Sequence, residues 1–300
     1  MSSPEFLENL SPETLERLRE LELFSRLRVE GLLQGENRSV LKGSSTDFIS
    51  HRPYVPGDDI KFVDWRAYAR SDRLTVKEYE DLTNVRAAVA LDISNSMAFG
   101  EGEETKHDYA LRAAALILYL LYMRRDRFSL HLFNDRVQLS LPAGTGQRHL
   151  LRAFRAMVEQ EPRGGTDFQG PFTRIRPELK KRGIFILFSD CMDDPEKIVR
   201  SLLRFRLQGS DVIVFQVFHP DERDFPYGQM TRFTCLETGE VSTVDPLEFQ
   251  RSYRENFAGH TEELQSRLRE RGMDHARLPA DAHYEAAVGD FIRRRMEVLS

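Results

Sequence analysis

At 300 residues, with 40% of them hydrophobic and 30% charged, the chain has the make-up of a soluble globular protein with room for one large domain and an extension. A net charge of −5, with basic and acidic residues closely interspersed as in 52–80, excludes a general attraction to nucleic acid or to an anionic membrane. Two cysteines, Cys191 and Cys235, allow one bridge at most, and Met1 to Glu5 lacks the basic start and apolar core of a signal peptide, so a reducing, cytoplasmic setting is expected.

In chain order, Ser11-Pro12 with Glu13 predicts a helix start: a serine cap, a proline at the first helical position and an acid in the first turn. Leu15, Leu18, Leu21 (or Leu23) and Leu27 continue it as an apolar stripe, and Gly31 and Gly35 break it. The stretch 34–47 reads as a polar loop. Pro56-Gly57 suits the centre of a type II turn, and Ile60 to Trp65 a short helix or extended piece. Leu74 to Tyr79 reads as a strand.

From about Val85 the rhythm becomes strand and helix by turns. Arg86 to Leu91 predicts a buried strand and Asp108 to Arg124 a helix. That helix, apolar on most sides, carries Arg112 and is too short to span a bilayer, so it is expected inside a sandwich. Phe128 to Phe133 and Val137 to Leu141 alternate about Asn134-Asp135 as a hairpin. Helices are predicted over 147–160 and 172–181. The apolar runs Ile184 to Phe188 and Val212 to Phe218 read as strands covered on both faces, with a helix from Pro195 to Leu207 between them that Gly209 ends. An irregular acidic loop is expected after His219-Pro220. A small hairpin about Thr238-Gly239 and helices over 246–271 and 284–296 close the chain. Alternating strands and helices predict an α/β fold with a doubly wound, mostly parallel, Rossmann-like sheet.

Three oxygen-bearing segments stand out. Asp92-Ile93-Ser94-Asn95-Ser96 places a carboxylate and two hydroxyls on every second residue just past a buried strand. Gly164-Gly165-Thr166-Asp167-Phe168 offers a further hydroxyl on a glycine-loosened loop. Ser189-Asp190 ends a second strand. In open α/β sheets ligands bind beyond the carboxyl ends of the strands, where Asp92 and Asp190 both fall. Two close carboxylates repel each other unless a cation joins them. An all-oxygen set without sulfur or imidazole suits Mg²⁺ or Mn²⁺, with Ca²⁺ a poorer match, and disfavours zinc and copper. Asp92, Ser94, Ser96, Thr166 and Asp190 are therefore the expected metal residues, with a partner's carboxylate filling the open position.

These same residues resemble the metal-ion-dependent adhesion site of von Willebrand factor A domains. Upstream, Tyr54-Val55-Pro56-Gly57-Asp58-Asp59-Ile60-Lys61-Phe62-Val63-Asp64-Trp65-Arg66, continued by Ala69-Arg70 and Leu74 to Glu80, resembles the signature of the bacterial DUF58 family. The resemblance covers roughly residues 30 to 300. It implies an A-type domain over 83–300 and an extension over 1–82. It also implies partnership with a MoxR-type AAA+ ATPase in chaperone-like maturation or a stress response, without enzymatic activity.

Each element has a plainer reading. The serines could cap the next helix, and Asp190 could cap the helix at Pro195. Trp65 and Tyr54 are expected to anchor the extension by burial, and Asp58 and Asp59 to cap a turn. Cys191 reads as a small buried thiol, and His107, His131 and His219 share no metal-ligand spacing. The main rival is a Mg²⁺-dependent phosphatase of the haloacid-dehalogenase kind. It also begins with an aspartate after the first strand, but it needs a second acid where Ser94 stands. An interaction domain with an empty site is the third reading.

Overall fold

The computed structural model describes residues 48–53, 75–79, 86–100, 105–179, 183–228, 230–236 and 239–299. In its amino-terminal part, β1 (Phe48–Pro53) pairs antiparallel with β2 (Thr75–Tyr79), the strand expected there. The expected helix from Ser11, the turn at Pro56-Gly57, the segment from Ile60 to Trp65 and the roles of Tyr54, Asp58 and Asp59 lie outside the described residues.

The following elements are β3 (Arg86–Asp92), α1 (Lys106–Met123), β4 (Arg127–Phe133), β5 (Val137–Gly144), α2 (Gln147–Val158) and α3 (Gln169–Ile175). Then come β6 (Ile184–Ser189), α4 (Pro195–Leu207), β7 (Asp211–Phe218) and α5 (Pro220–Asp224). The hairpin β8 (Thr231–Thr234) and β9 (Val241–Val244), α6 (Pro246–Glu270), β10 (Asp274–Pro279) and α7 (Tyr284–Leu299) complete the chain.

Six strands form one sheet in the order β10-β7-β6-β3-β4-β5, parallel throughout except for β5, which runs antiparallel to β4 at one edge. Numbered within the sheet, this is the doubly wound order 3-2-1-4-5-6, which reverses direction beside the first strand and opens a crevice there. The sheet is the expected Rossmann-like one. Helices cover both faces. Side chains from α1, α2 and α7 pack with Val89, Leu91, Ile186 and Phe215 on one face. Those from α3, α4 and α6 pack with Ala88, Ala90, Phe185 and Val214 on the other. This two-sided burial is why β3, β6 and β7 read as continuous apolar runs instead of alternating ones. The second face is dense in aromatic rings: Phe185 stacks on Phe205 at 4.0 Å between centroids, and both meet Phe172 edge-on. Gly209 ends α4 with a left-handed φ of 90°, as expected for a glycine after a helix.

Besides β1, where no strand is expected, three elements depart from the expectations. The helix predicted over 172–181 begins at Gln169 instead, because Asp167 accepts hydrogen bonds from the Gln169 and Gly170 amides at 3.1 and 2.8 Å. It tightens to a 3₁₀ turn over Arg176–Glu178, where Pro177 has no N–H to continue the helix. The acidic loop after His219 contains a helix, α5, closed by a capping box. The His219 ring accepts from the Asp221 amide, and Glu222 accepts from the His219 amide. Finally, β10 was not anticipated. Only Ala276 and Leu278 of its six residues are buried, so its apolar signal is faint.

Candidate metal centre

β3 and β6 are neighbours in register, Leu91 beside Phe188, so the loops that follow them leave the sheet side by side. Asp92 and Asp190 thus stand together at the carboxyl edge, 0% and 2% exposed. Asp92 is held at both oxygens: the Ser94 amide donates to one at 2.9 Å and the Ser189 hydroxyl to the other at 2.6 Å. The Ser94 and Ser96 hydroxyls lie 3.1 Å apart. Although Ser94 precedes a short 3₁₀ turn over Asn95–Ala98, its side chain does not cap that turn. Nor does Asp190 cap α4, since Asp194 does so through the Glu196 amide. Neither plain capping reading accounts for these residues.

The Thr166 loop is tied to the same place by backbone pairing. The Asn95 amide donates to the Gly164 carbonyl at 2.8 Å, and the Arg163 amide donates to the Ile93 carbonyl at 2.7 Å. Asn134, at the end of β4, donates to the Arg163 carbonyl at 2.7 Å and closes the loop from outside. Gly164 sits at a φ of 73°, and a Cβ there would come within 3.0 Å of the Asn134 amide nitrogen. Thr166, two residues on, is half-buried, and its hydroxyl has no hydrogen bond among the described residues. The three expected segments are therefore brought to one edge of the sheet.

Burial, with the Asp190 charge adding to it, pushes the Asp92 carboxyl up to about 7 despite the two donors. A divalent cation would offset both the lost solvation and the Asp190 charge. Among the described residues no three His, Cys, Asp or Glu side chains could together hold a metal, so hydroxyls have to complete any shell here. The donor set fits a hard cation of the magnesium class: oxygen only, two carboxylates and neutral hydroxyls. Asp92, Ser94, Ser96, Thr166 and Asp190 would hold it, and a bound ion would supply a positive charge facing an incoming acid.

One participant is not in the sequence-derived set. Lys106, the first residue of α1, is fully buried. Its ammonium donates to Asp190 Oδ2 at 2.8 Å and to Glu222 Oε1 at 2.6 Å. Burial pulls this ammonium's pKa down, but the two carboxylates overcome that and hold it above its ordinary value. A lysine at a helix start, where the dipole disfavours cations, is the signal that could have singled it out. Ser189, outside the expected ligand set, joins the centre through the hydrogen bond that it donates to Asp92. Cys191 is buried as expected. Burial raises its thiol pKa well above the ordinary value, and its backbone is left-handed at a φ of 55°.

The family model described as "Protein of unknown function DUF58" matches residues 50–267. The chain belongs to the DUF58 family. This DUF58 chain is 25% identical over 292 residues to uncharacterized proteins of Mycobacterium tuberculosis and Mycobacterium bovis, covering 95% of itself and 90% of each of them. Among solved structures it is similar to the conserved hypothetical protein BatB from Bacteroides thetaiotaomicron, with a TM-score of 0.49 and 16% identity over 71% of this chain and 100% of that one. It is also similar to the vWF domain of the type V pili tip protein Mfa5 from Porphyromonas gingivalis, with a TM-score of 0.40 and 13% identity over 72% and 96% of the two chains. No helix among the described residues is long and apolar enough to cross a membrane.

Proposed function

We propose that this DUF58 protein is a non-enzymatic, metal-dependent interaction module. Residues 83–300 carry the binding site and residues 1–82 extend it. Asp92, Ser94, Ser96, Thr166 and Asp190 hold Mg²⁺ or Mn²⁺, some directly and some through water, and a carboxylate of a protein partner completes the shell. The observation that carries this reading is the convergence of two buried, mutually repelling carboxylates with unengaged hydroxyl oxygen at the carboxyl edge of the sheet. The resemblance of the upstream signature supports a MoxR-type AAA+ ATPase as the partner and chaperone-like maturation or a stress response as the setting.

The dehalogenase-like alternative is disfavoured by geometry as well as by Ser94. The buried lysine contacts Asp190 and not Asp92, and both oxygens of Asp92 accept hydrogen bonds, which blunts a nucleophile. Titration calorimetry with Mg²⁺ and Mn²⁺ tests the module. Wild type should bind and Asp92→Ala should not; equal, negligible heats for both would overturn it. Capture of a MoxR-type ATPase should weaken in EDTA and with Thr166→Ala, and undiminished capture in both would separate the metal from the contact. Turnover of a phosphomonoester that is lost on Asp92→Asn would instead favour the phosphatase.

A further inference from the structure

Lys106 is a costly residue where it stands. Its ammonium is fully buried at the amino-terminal end of α1, where the peptide dipoles already present positive charge. Two carboxylates hold it there, and the face of Phe99 lies 5.9 Å away. Glu222 is in turn fixed by its capping role on α5, so the ammonium is held between two rigid elements. An ordinary core position would carry an apolar side chain. This one carries a charge in contact with Asp190, one of two carboxylates of the candidate centre among the described residues.

We infer that Lys106 is a specificity-determining residue of that centre: a built-in cation that lowers the chain's own affinity for a divalent ion, so that tight metal binding requires the partner's carboxylate. The inference rests on the metal-site reading above. Lys106 occupies Asp190 Oδ2, leaving Asp190 Oδ1, which among the described residues accepts only a long 3.4 Å bond from the Met192 amide, to serve a metal. It also places a fixed positive charge one carboxylate away from the ion. A divalent ion bound to the chain alone faces that repulsion, and an incoming acid offsets it. The partner is then recognised by its charge, and ion and partner bind cooperatively, each raising the affinity for the other.

The Lys106→Met, Glu222→Gln double variant tests this without altering the total charge. In the wild type three carboxylates stand against one ammonium, a net of two negative charges; in the variant Asp92 and Asp190 alone carry the same two. Glu222 is removed together with Lys106, so that Asp190, the carboxylate the ion itself would engage, is the one left without its ammonium. The expected result is Mn²⁺ binding about tenfold tighter or more by calorimetry, because the repelling charge has gone from a low-dielectric site. Addition of acetate as a surrogate acid should strengthen Mn²⁺ binding to the wild type more than to the variant. Glu222→Gln alone, at a side chain that is 14% exposed, should do the opposite and weaken Mn²⁺ binding, since Lys106 then bears on Asp190 uncompensated. Unchanged or weaker binding in the double variant, or unchanged binding in Glu222→Gln, overturns the inference while leaving the metal site standing, provided wild type binds and Asp92→Ala does not. If wild type, Asp92→Ala and the double variant are all silent, with acetate as well as without it, the metal-site reading itself fails, and this inference with it.

Discussion

The raised carboxyl of Asp92 makes the stability of the metal-free protein depend on pH in a defined direction. Its pKa stands at about 7, against an ordinary value of 3.8, chiefly through burial and then through the Asp190 charge. Below pH 3.8 the group is protonated in both folded and unfolded chains and makes no difference. Between 3.8 and about 7 the folded chain keeps a proton that the unfolded chain has lost, so stability falls as pH rises through that window. Each tenfold change in proton affinity is worth ~1.4 kcal/mol, so the total loss is about 4 kcal/mol, complete at about pH 7 and above. Asp92→Asn cannot titrate and should lack this fall. The measurement is urea unfolding in EDTA across the window, for wild type and Asp92→Asn, reading the difference between the two stability curves. Saturating Mg²⁺ should abolish the fall in the wild type, because an ion that binds only the folded chain takes the place of the proton. Parallel curves for the two proteins in EDTA would refute the reasoning, since the carboxyl would then be solvated or paired in the folded state.

Other expectations follow from particular contacts. Gly164→Ala forces a side chain into a left-handed backbone and to within 3.0 Å of Asn134. It should cost about 1–2 kcal/mol in unfolding experiments and loosen the Thr166 loop enough to weaken Mn²⁺ binding measured by calorimetry. Phe205→Ala removes the ring stacked on Phe185 in a site with no exposure and should destabilise by about 3–5 kcal/mol by urea denaturation; a loss under ~1 kcal/mol would mean that the aromatic layer is not packed as described. A chromogenic thiol reagent should titrate Cys235, which is exposed, in the native protein, and should reach Cys191 only after unfolding, because Cys191 is buried with its thiol held protonated.

The sheet was legible because burial on both faces writes itself as unbroken apolar runs. β3, β6 and β7, with the helices α1 and α4, fell within a residue or two of their expected places. β10 escaped because an edge strand buries one face of a short segment, and Asp274, His275 and Arg277 hide the two buried residues between them. α5 escaped because its stability lies in a reciprocal cap between His219 and Glu222, which composition reads as an acidic loop. The candidate centre divides along the same line. Asp92, Ser94 and Ser96 share one short segment, so their spacing announces them. Asp190 and Thr166 join them only through strand order and loop pairing, which the resemblance supplied before the structure did. Lys106 and Glu222 are 116 residues apart and touch only in the folded chain, so no local pattern could have joined them to Asp190. The five expected ligands say what the centre can bind. On the proposed reading, the charge left among them, which no motif displays, decides how strongly the centre binds on its own. On the reading proposed above, a site with one of its two carboxylates already occupied by an ammonium waits for a further acid from outside, and for that reason the lysine bears as directly on partner dependence as any ligand.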